Sequence, residues 1–516
     1  MSPSFFRELD LKLPTDYAAE ELQKKIAKKL HIKNFNYEIL KQSLDARRKP
    51  DVFWQAKLRV FSEEFNGGQE NKPTPGLEIP FKKRSSKVIV VGSGPAGFFS
   101  AFVLQKAGFE VRLIEKGPEV NQRFKDISGF EKGETDFKDN SNYCHGEGGA
   151  GTFSDGKLTS RTKGIAIEKT FVFQSYVDAG APDEILYLAK PHIGSDKLRV
   201  VIPNLRKQFQ SLGGKILFDT EVTSINLKDI QCKSVATTNG EFPCDILIVA
   251  PGHSSYNTYR MLSKSGVQFR SKPFALGVRV EHSQELINIS QWGKPKFPGL
   301  KAADYKLTHT ASNGLPVYSF CMCPGGKVVP SAPAAKQNIV NGISDYARSS
   351  AYANSAVVAG VHLDNLLKKQ VGFEESLQWM EQLEQKVFEI SRAYNVPGAG
   401  IQDFLSDKVS QSIPENSFPF QVFPYDFKAL LPAEIIFALK EGLQNFTRKI
   451  HGFETGILLG LESKTSSPVQ VIRDEHRRCE GFENIYIVGE GSGYAGGITS
   501  SAVDGVKVAM GIIESY

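Results

Sequence analysis

The apolar pattern changes along the chain, and the predicted elements change with it. Residues 5–13 read as a strand, 17–30 place apolar residues at helical spacing, and 37–61 read as one or two strands around the basic turn Asp45-Ala-Arg-Arg-Lys-Pro. Short continuous apolar runs replace these patterns further on. Val88–Val91, Glu110–Ile114, the DILIVAPG stretch at 245–252 and IYIVGEG at 485–491 fit strands of a parallel sheet buried on both faces. Helical spacing returns at 165–179, 196–212, 374–394 and 433–449, and strands are expected at 215–219, 274–281 and 317–323.

The order of elements points to a fold of the α/β class. It comprises a small N-terminal α+β domain (1–64), a linker rich in turn residues (65–86), a Rossmann-type domain in two parts (87–270 and 457–516), and an inserted α+β domain (271–456). A length of 516 residues is too great for one ordinary core.

Lys87–Gly117, KVIVVGSGPAGFFSAFVLQKAGFEVRLIEKG, carries the chemistry. Gly92, Gly94 and Gly97 complete G-x-G-x-x-G between a strand and a helix: the first allows the tight turn, the second lets backbone approach a pyrophosphate, and the third lets helix and strand pack closely. Pro95 and Ala96 open that helix, whose unpaired N–H groups would face phosphate, and Ala96, Phe99, Val103 and Leu104 give it an apolar face. Glu115 follows the next strand, where a carboxylate can hold the adenosine ribose. This stretch alone leaves NAD and FAD open.

The C-terminal GEGSGYAGGITSSAVDG chooses FAD. Gly489 and Glu490 follow a strand, Glu490 is placed to accept ribityl hydroxyls, and Gly497-Ile498 open a helix whose positive end would face the flavin pyrimidine edge. GEGGAGTFSDGKL at 146–158 reads as a cofactor loop through Gly149, Gly151, Thr152, Ser154, Asp155 and Lys157, against the plainer reading of a surface loop. Lys116, Val222, Ala250 and Gly252 complete the cofactor set.

Composition adds little that is specific. A net charge of +6, from 63 basic and 57 acidic residues, permits an anionic ligand and is poor support for nucleic acid. No apolar signal core opens the chain and the apolar runs are strand-sized, so a cytoplasmic protein without a membrane span is expected. The six cysteines are expected to be reduced and no metal site is expected.

The motifs resemble the FAD-binding half of glutathione-reductase-type flavoproteins. CMCPGG at 321–326, KTSSPVQVIRD at 464–474 and GEGSGYAGGITSSAVDG at 489–505, together with SLDARRK at 43–49, are similar to the FAD-dependent dehydrogenase family over almost the whole chain. Lys464 departs from that pattern, which has arginine. The resemblance implies FAD and redox chemistry without a substrate. No second unit of strand, G-x-G-x-x-G, helix, strand and terminal acid is present, so any NAD(P)H is expected to bind transiently at the flavin, with a small-molecule substrate under the inserted domain.

The expected activity is hydride transfer through flavin N5. Its rivals are a flavoprotein that docks RNA through Arg47, Arg48 and Lys49, and a flavin-bearing scaffold without catalysis. His192, Cys321, Cys323 and Lys327 are the catalytic candidates. On an extended strand, Cys321 and Cys323 would put both sulfurs on one face, with Lys327 folding back to assist; lining the pocket is the reading preferred over thiol chemistry.

Overall fold

The computed structural model describes residues 5–70 and 75–516. Its organising element is a parallel five-stranded sheet in the order Ile485–Ile487, Ile246–Val249, Lys87–Val91, Glu110–Ile114, Lys215–Leu217. Strand order reverses between Lys87–Val91 and Ile246–Val249, which makes a crevice beyond their carboxyl ends. The helix Pro95–Lys106 lies against this sheet and against the long helix Ile498–Ser515. Contacts on both sides bury every residue from Ala96 to Leu104, rather than the single apolar face expected. A three-stranded meander, Val222–Lys228, Gln231–Thr237 and Gly240–Pro243, leads back into the strand Ile246–Val249.

The inserted segment builds an eight-stranded sheet on Phe274–Ser283, Pro316–Pro330 and Tyr352–Val361, covered by the helices Phe373–Ile390 and Ala433–Lys449. It runs past the expected boundary at Gly456. Ile457–Glu462 is wholly buried and pairs with Phe274–Ser283, so it belongs to this sheet and not to the returning Rossmann segment. A two-stranded ribbon, Phe269–Ser271 with Val469–Val471, joins the two bodies.

The N-terminal strands Phe5–Leu13, Asn36–Arg48 and Asp51–Phe61 form a sheet with the helix Ala19–Leu30 on one face, where Leu22 and Ile26 meet Leu9, Leu11 and Leu58. Within the expected linker, Gln69–Glu70 adds a short strand to this sheet, and residues 71–74 lie outside those described. The basic turn folds onto the inserted domain. Lys49 Nζ donates to Ser290 O, and Arg47 pairs with its own neighbour Asp45 at 2.5 Å.

Candidate FAD site and the adjoining ion network

Four segments distant in sequence meet at the crevice. Gly97 sits where a Cβ would lie 1.9 Å from Gly92 O and 3.1 Å from the Ala250 Cβ, so strand, turn and helix touch through backbone. Gly94 differs. Its backbone is extended (φ −64°, ψ 175°), and a Cβ there would meet only Gly149 Cα, at 3.8 Å. Gly149 has φ 64°, which favours glycine, and Gly151 lies against Pro95 and Ile498. The last two segments join through Gly491, whose Cβ would meet Pro251 and Gly252 O, and Gly489, whose N–H donates to Asp504 Oδ2 at 2.8 Å.

These residues fit FAD on observations of the structure itself. No side chain caps the helix that starts at Pro95, and none caps the one that starts at Ile498, so both leave N–H donors and a positive dipole end at the crevice. Buried Glu115 is held by Ser93 N and Oγ on Oε2 (2.9 and 2.7 Å) and by Gly117 N on Oε1 (2.9 Å), which ties the ribose-side acid to the glycine turn. Thr220 N donates to Glu115 O at 3.0 Å and so brings Val222 to the same end of the site. Lys116, half-buried, lies near His145.

Glu490 is half-buried and lies near the Gly497 N–H. Burial pushes its pKa up to about 8, with Lys272 pulling the other way; Lys272 Nζ donates to Gly493 O at 2.8 Å. The folded chain therefore binds this proton more tightly than the unfolded chain does. Its contribution to stability is full below the unfolded value of 4.5 and is lost as pH rises through about 8. In FAD-free protein, Glu490→Gln should remove this part of the pH dependence, seen as a denaturation midpoint that falls less between those two pH values than the wild-type midpoint.

The glycine-rich stretch departs from expectation. Its polar side chains are engaged within the protein: Thr152 Oγ1 donates to Glu147 O (3.2 Å), Ser154 Oγ to Gly151 O (2.8 Å), and Asp155 pairs with Lys157 (2.7 Å) and, bidentately, with Arg348 (3.0 and 2.7 Å). The loop offers backbone to the crevice rather than the hydroxyls and carboxylate expected of it. Arg123, fully buried, holds it in shape by donating to the carbonyls of Asn142, Tyr143, Gly146, Glu147 and Gly149 at 2.8–3.3 Å. Burial draws the Arg123 pKa down to about 10, opposed by Glu115 and Glu147, so it stays charged at neutral pH.

The catalytic candidates separate. Lys327 pairs with Glu131 (3.1 Å) and does not fold back on the cysteines, because its strand continues extended to Pro330. His192 is buried, donates from Nε2 to Tyr346 O (3.2 Å) and stacks on that ring; burial and then the Arg348 cation lower its pKa to about 4, so it is neutral at physiological pH.

Cys321 and Cys323 do not lie on a regular extended strand. Pairing jumps from Phe320↔Ala356 to Cys323↔Asn354, which inserts one extra residue, and Cys321 takes φ 44°. Lys157 Nζ donates to Met322 O between them. Behind them the fully buried Arg279 donates to Cys321 O (2.7 Å), Glu462 (2.8 Å), Asn341 (2.9 Å) and Asn354 (2.8 Å). All six cysteines are free thiols.

Lys464, at the position that departs from the motif, forms a buried ion pair with Glu384 at 2.7 Å and donates to Tyr256. Sequence reasoning missed Arg123, Arg279, Arg348 and Asp504. Their roles depend on partners remote in sequence, and no local pattern marks them.

Three family models match. Residues 86–274 match Pyridine nucleotide-disulphide oxidoreductase, 273–465 match FAD-dependent protein, C-terminal domain-like, and 6–61 match a Domain of unknown function. An "Uncharacterized protein" of Clostridium beijerinckii is 37% identical over 530 residues, covering 98% of both chains. Among solved structures, glycine oxidase from Bacillus cereus is similar at 12% identity and a TM-score of 0.37, over 84% of this chain and 95% of that one. L-proline dehydrogenase from P. horikoshii is similar at 11% identity and a TM-score of 0.35, over 84% and 95%. Likeness at that level carries no argument about substrate.

Sheet order, crevice and matched domains define the class: a glutathione-reductase-like, FAD-dependent oxidoreductase. The chain belongs to the same family as the clostridial protein. Among the described residues no helix is long and apolar enough to cross a membrane.

Proposed function

We propose that FAD lies along the crevice with its pyrophosphate at Gly92, Gly94, Pro95, Ala96 and Gly97, its adenosine ribose at Glu115, and its ribityl chain at Glu490. The observation that carries this reading is the meeting of two uncapped helix N-termini with two carboxylates at one end of a parallel sheet. Bound FAD supplies two-electron chemistry, exchanging hydride through N5 with a small-molecule substrate. The protein's part is to bind, orient and shield. Gly149 and Gly151 present backbone; the N-terminus of the helix Ile498–Ser515 stabilises negative charge that accumulates at the pyrimidine edge; and the inserted sheet, reaching over through Lys157 and Met322, excludes water.

NAD(P)H serves as a transient reductant, since strand, glycine turn, helix, strand and terminal acid occur together once, at 87–115. The family is that of the FAD-dependent dehydrogenases, on the motifs at 146–158, 321–326 and 489–505.

Two carboxylates accepting ribose and ribityl hydroxyls should each contribute about 1–3 kcal/mol to FAD binding. Glu115→Ala and Glu490→Ala are each expected to lower FAD affinity accordingly in a fluorescence titration of FAD-free protein; unchanged affinity in both would remove these assignments. The function itself is tested by mixing the holoprotein anaerobically with NADH and with NADPH. Bleaching of the visible flavin band by at least one, followed by reoxidation with an added acceptor, is the expected result. A flavin that neither nucleotide reduces, in protein that an artificial reductant bleaches normally, would overturn the nicotinamide part of the reading.

A further inference from the structure

Where the helix Val120–Glu131 ends, the Rossmann-type body and the inserted domain leave between them an open recess of about 520 Å³, lined by none of the residues assigned to FAD. The Rossmann-type body contributes Phe130, Phe137, Glu134 and Asp136, and the inserted domain contributes Tyr394 and Phe420. All four rings stay partly exposed, so apolar surface that a closed core would remove from water is left in contact with it. The rings are set at differing angles. Phe130 meets Tyr394 at 4.9 Å and 89° and Phe420 at 5.2 Å and 66°, while Phe137 stacks on Tyr394 at 5.2 Å and 25°.

The walls are held in place by the inserted domain's own polar contacts. Tyr394 follows two successive non-glycine residues in the left-handed region, Arg392 at φ 50° and Ala393 at φ 99°, a strained turn that the surroundings must maintain. Fully buried Asn338 maintains it, its amide donating to Ala393 O at 3.1 Å and to Asn395 O at 2.6 Å. Asn395 Oδ1 in turn accepts Gln421 N at 3.1 Å, which fixes the chain beside Phe420. Gly133, also lining the recess, takes φ 70°, and a Cβ there would meet nothing within 4 Å.

Charge selects the occupant. Lys138 pairs with Asp126 at 2.8 Å and Lys327 with Glu131 at 3.1 Å, whereas Glu134 and Asp136, both exposed, have no ion-pair partner among the described residues. No basic residue lines the recess. Ring faces carry the negative side of the aromatic quadrupole, so four rings beside two unpaired carboxylates attract a cation and repel an anion. The volume is that of a small-molecule site rather than of a single ion.

We propose that this recess binds a small organic cation, with an ammonium or guanidinium head at Glu134 and Asp136 and an aryl or alkyl body against Phe130, Tyr394 and Phe420. An occupant there touches both bodies at once. It also meets the end of the helix whose Arg123 donates to Gly149 O at 2.8 Å, in the loop beside the FAD crevice. The site stands on its own residues and does not depend on the placement of FAD.

Calorimetric titration of the full-length protein as purified, at neutral pH and low salt, tests it with 2-phenylethylammonium and with 2-phenylethanol, a neutral molecule of nearly the same shape. The amine is expected to bind at least about tenfold more tightly than the alcohol. The double substitution Glu134→Gln, Asp136→Asn, at two exposed positions, should abolish that preference. Tyr394→Leu keeps apolar bulk between the two bodies and should weaken both ligands; thermal midpoints of the same samples show that the variants are folded. Equal affinities for amine and alcohol in the wild type would overturn the cation site, and so would an amine that fails to bind in the millimolar range. Amine affinity that survives unchanged in both variant chains would place the amine elsewhere on the protein and overturn the assignment of this recess.

Discussion

A Gly94→Leu chain is expected to fold normally and to purify without its yellow cofactor. Gly94 has an ordinary extended backbone, so a larger residue there meets no conformational penalty. Nor does its Cβ meet protein, since Gly149 Cα at 3.8 Å is in ordinary van der Waals contact. What the leucine side chain fills is the backbone-lined cradle at the helix N-terminus, where the pyrophosphate is proposed to lie. FAD affinity should fall at least about a hundredfold, close to 3 kcal/mol. The neighbouring glycines are a built-in contrast. A side chain at Gly97 would drive into Gly92 O at 1.9 Å, and one at Gly92 into Ala250 O at 2.4 Å with φ 94°, so those substitutions damage the fold itself. Thermal midpoint and FAD content measured together separate the cases. A Gly94→Leu protein with full FAD occupancy would show the cofactor to lie elsewhere.

The second large effect is expected at Arg123. One fully buried guanidinium satisfies five carbonyls of the 142–149 turn and lies over the Phe153 ring at 4.7 Å. Arg123→Met keeps the stem and removes every donor, leaving those carbonyls buried and unpaired, at a cost of about 3–5 kcal/mol. Arg123→Lys keeps the charge without the planar fork and should recover only part of the loss. Denaturant midpoints of the three chains check this order. Equal midpoints for wild type and Arg123→Met would mean that the loop holds its shape without the clamp.

What was legible in the sequence follows from what is local. Strand, glycine turn, helix, strand and acid at 87–115 occur in one continuous stretch, and Gly92 and Gly97 answer to contacts within that stretch or with the neighbouring strand end at Ala250. The C-terminal strand, glycine turn and helix start were legible for the same reason. What failed were readings that assumed regular geometry or free side chains. Cys321 and Cys323 were treated as neighbours on an extended strand, and a bulge decided otherwise. Asp155, Thr152 and Ser154 looked like ligand-facing groups, yet Arg348, Lys157 and nearby carbonyls claim them. Lys327 was expected beside the cysteines and is drawn to Glu131, which approaches from a helix some two hundred residues earlier. The strand Ile457–Glu462 was assigned to the wrong body because Gly456 looked like a boundary, while its complete burial comes from partners on both sides.

The basic turn shows the same dependence on remote partners. By sequence the cluster reads first as a solvated turn and second as an anion or partner site; in the structure Arg47 pairs with Asp45, Lys49 donates to the Ser290 carbonyl and Arg48 stays exposed.

The most direct test of the account is the cofactor content of the purified chain, measured by absorbance and by chromatography of the material released on denaturation. The account predicts FAD, near one molecule per chain in the wild type and near none in Gly94→Leu. A wild-type chain that is colourless as purified, and that neither binds added FAD nor quenches its fluorescence, would contradict it.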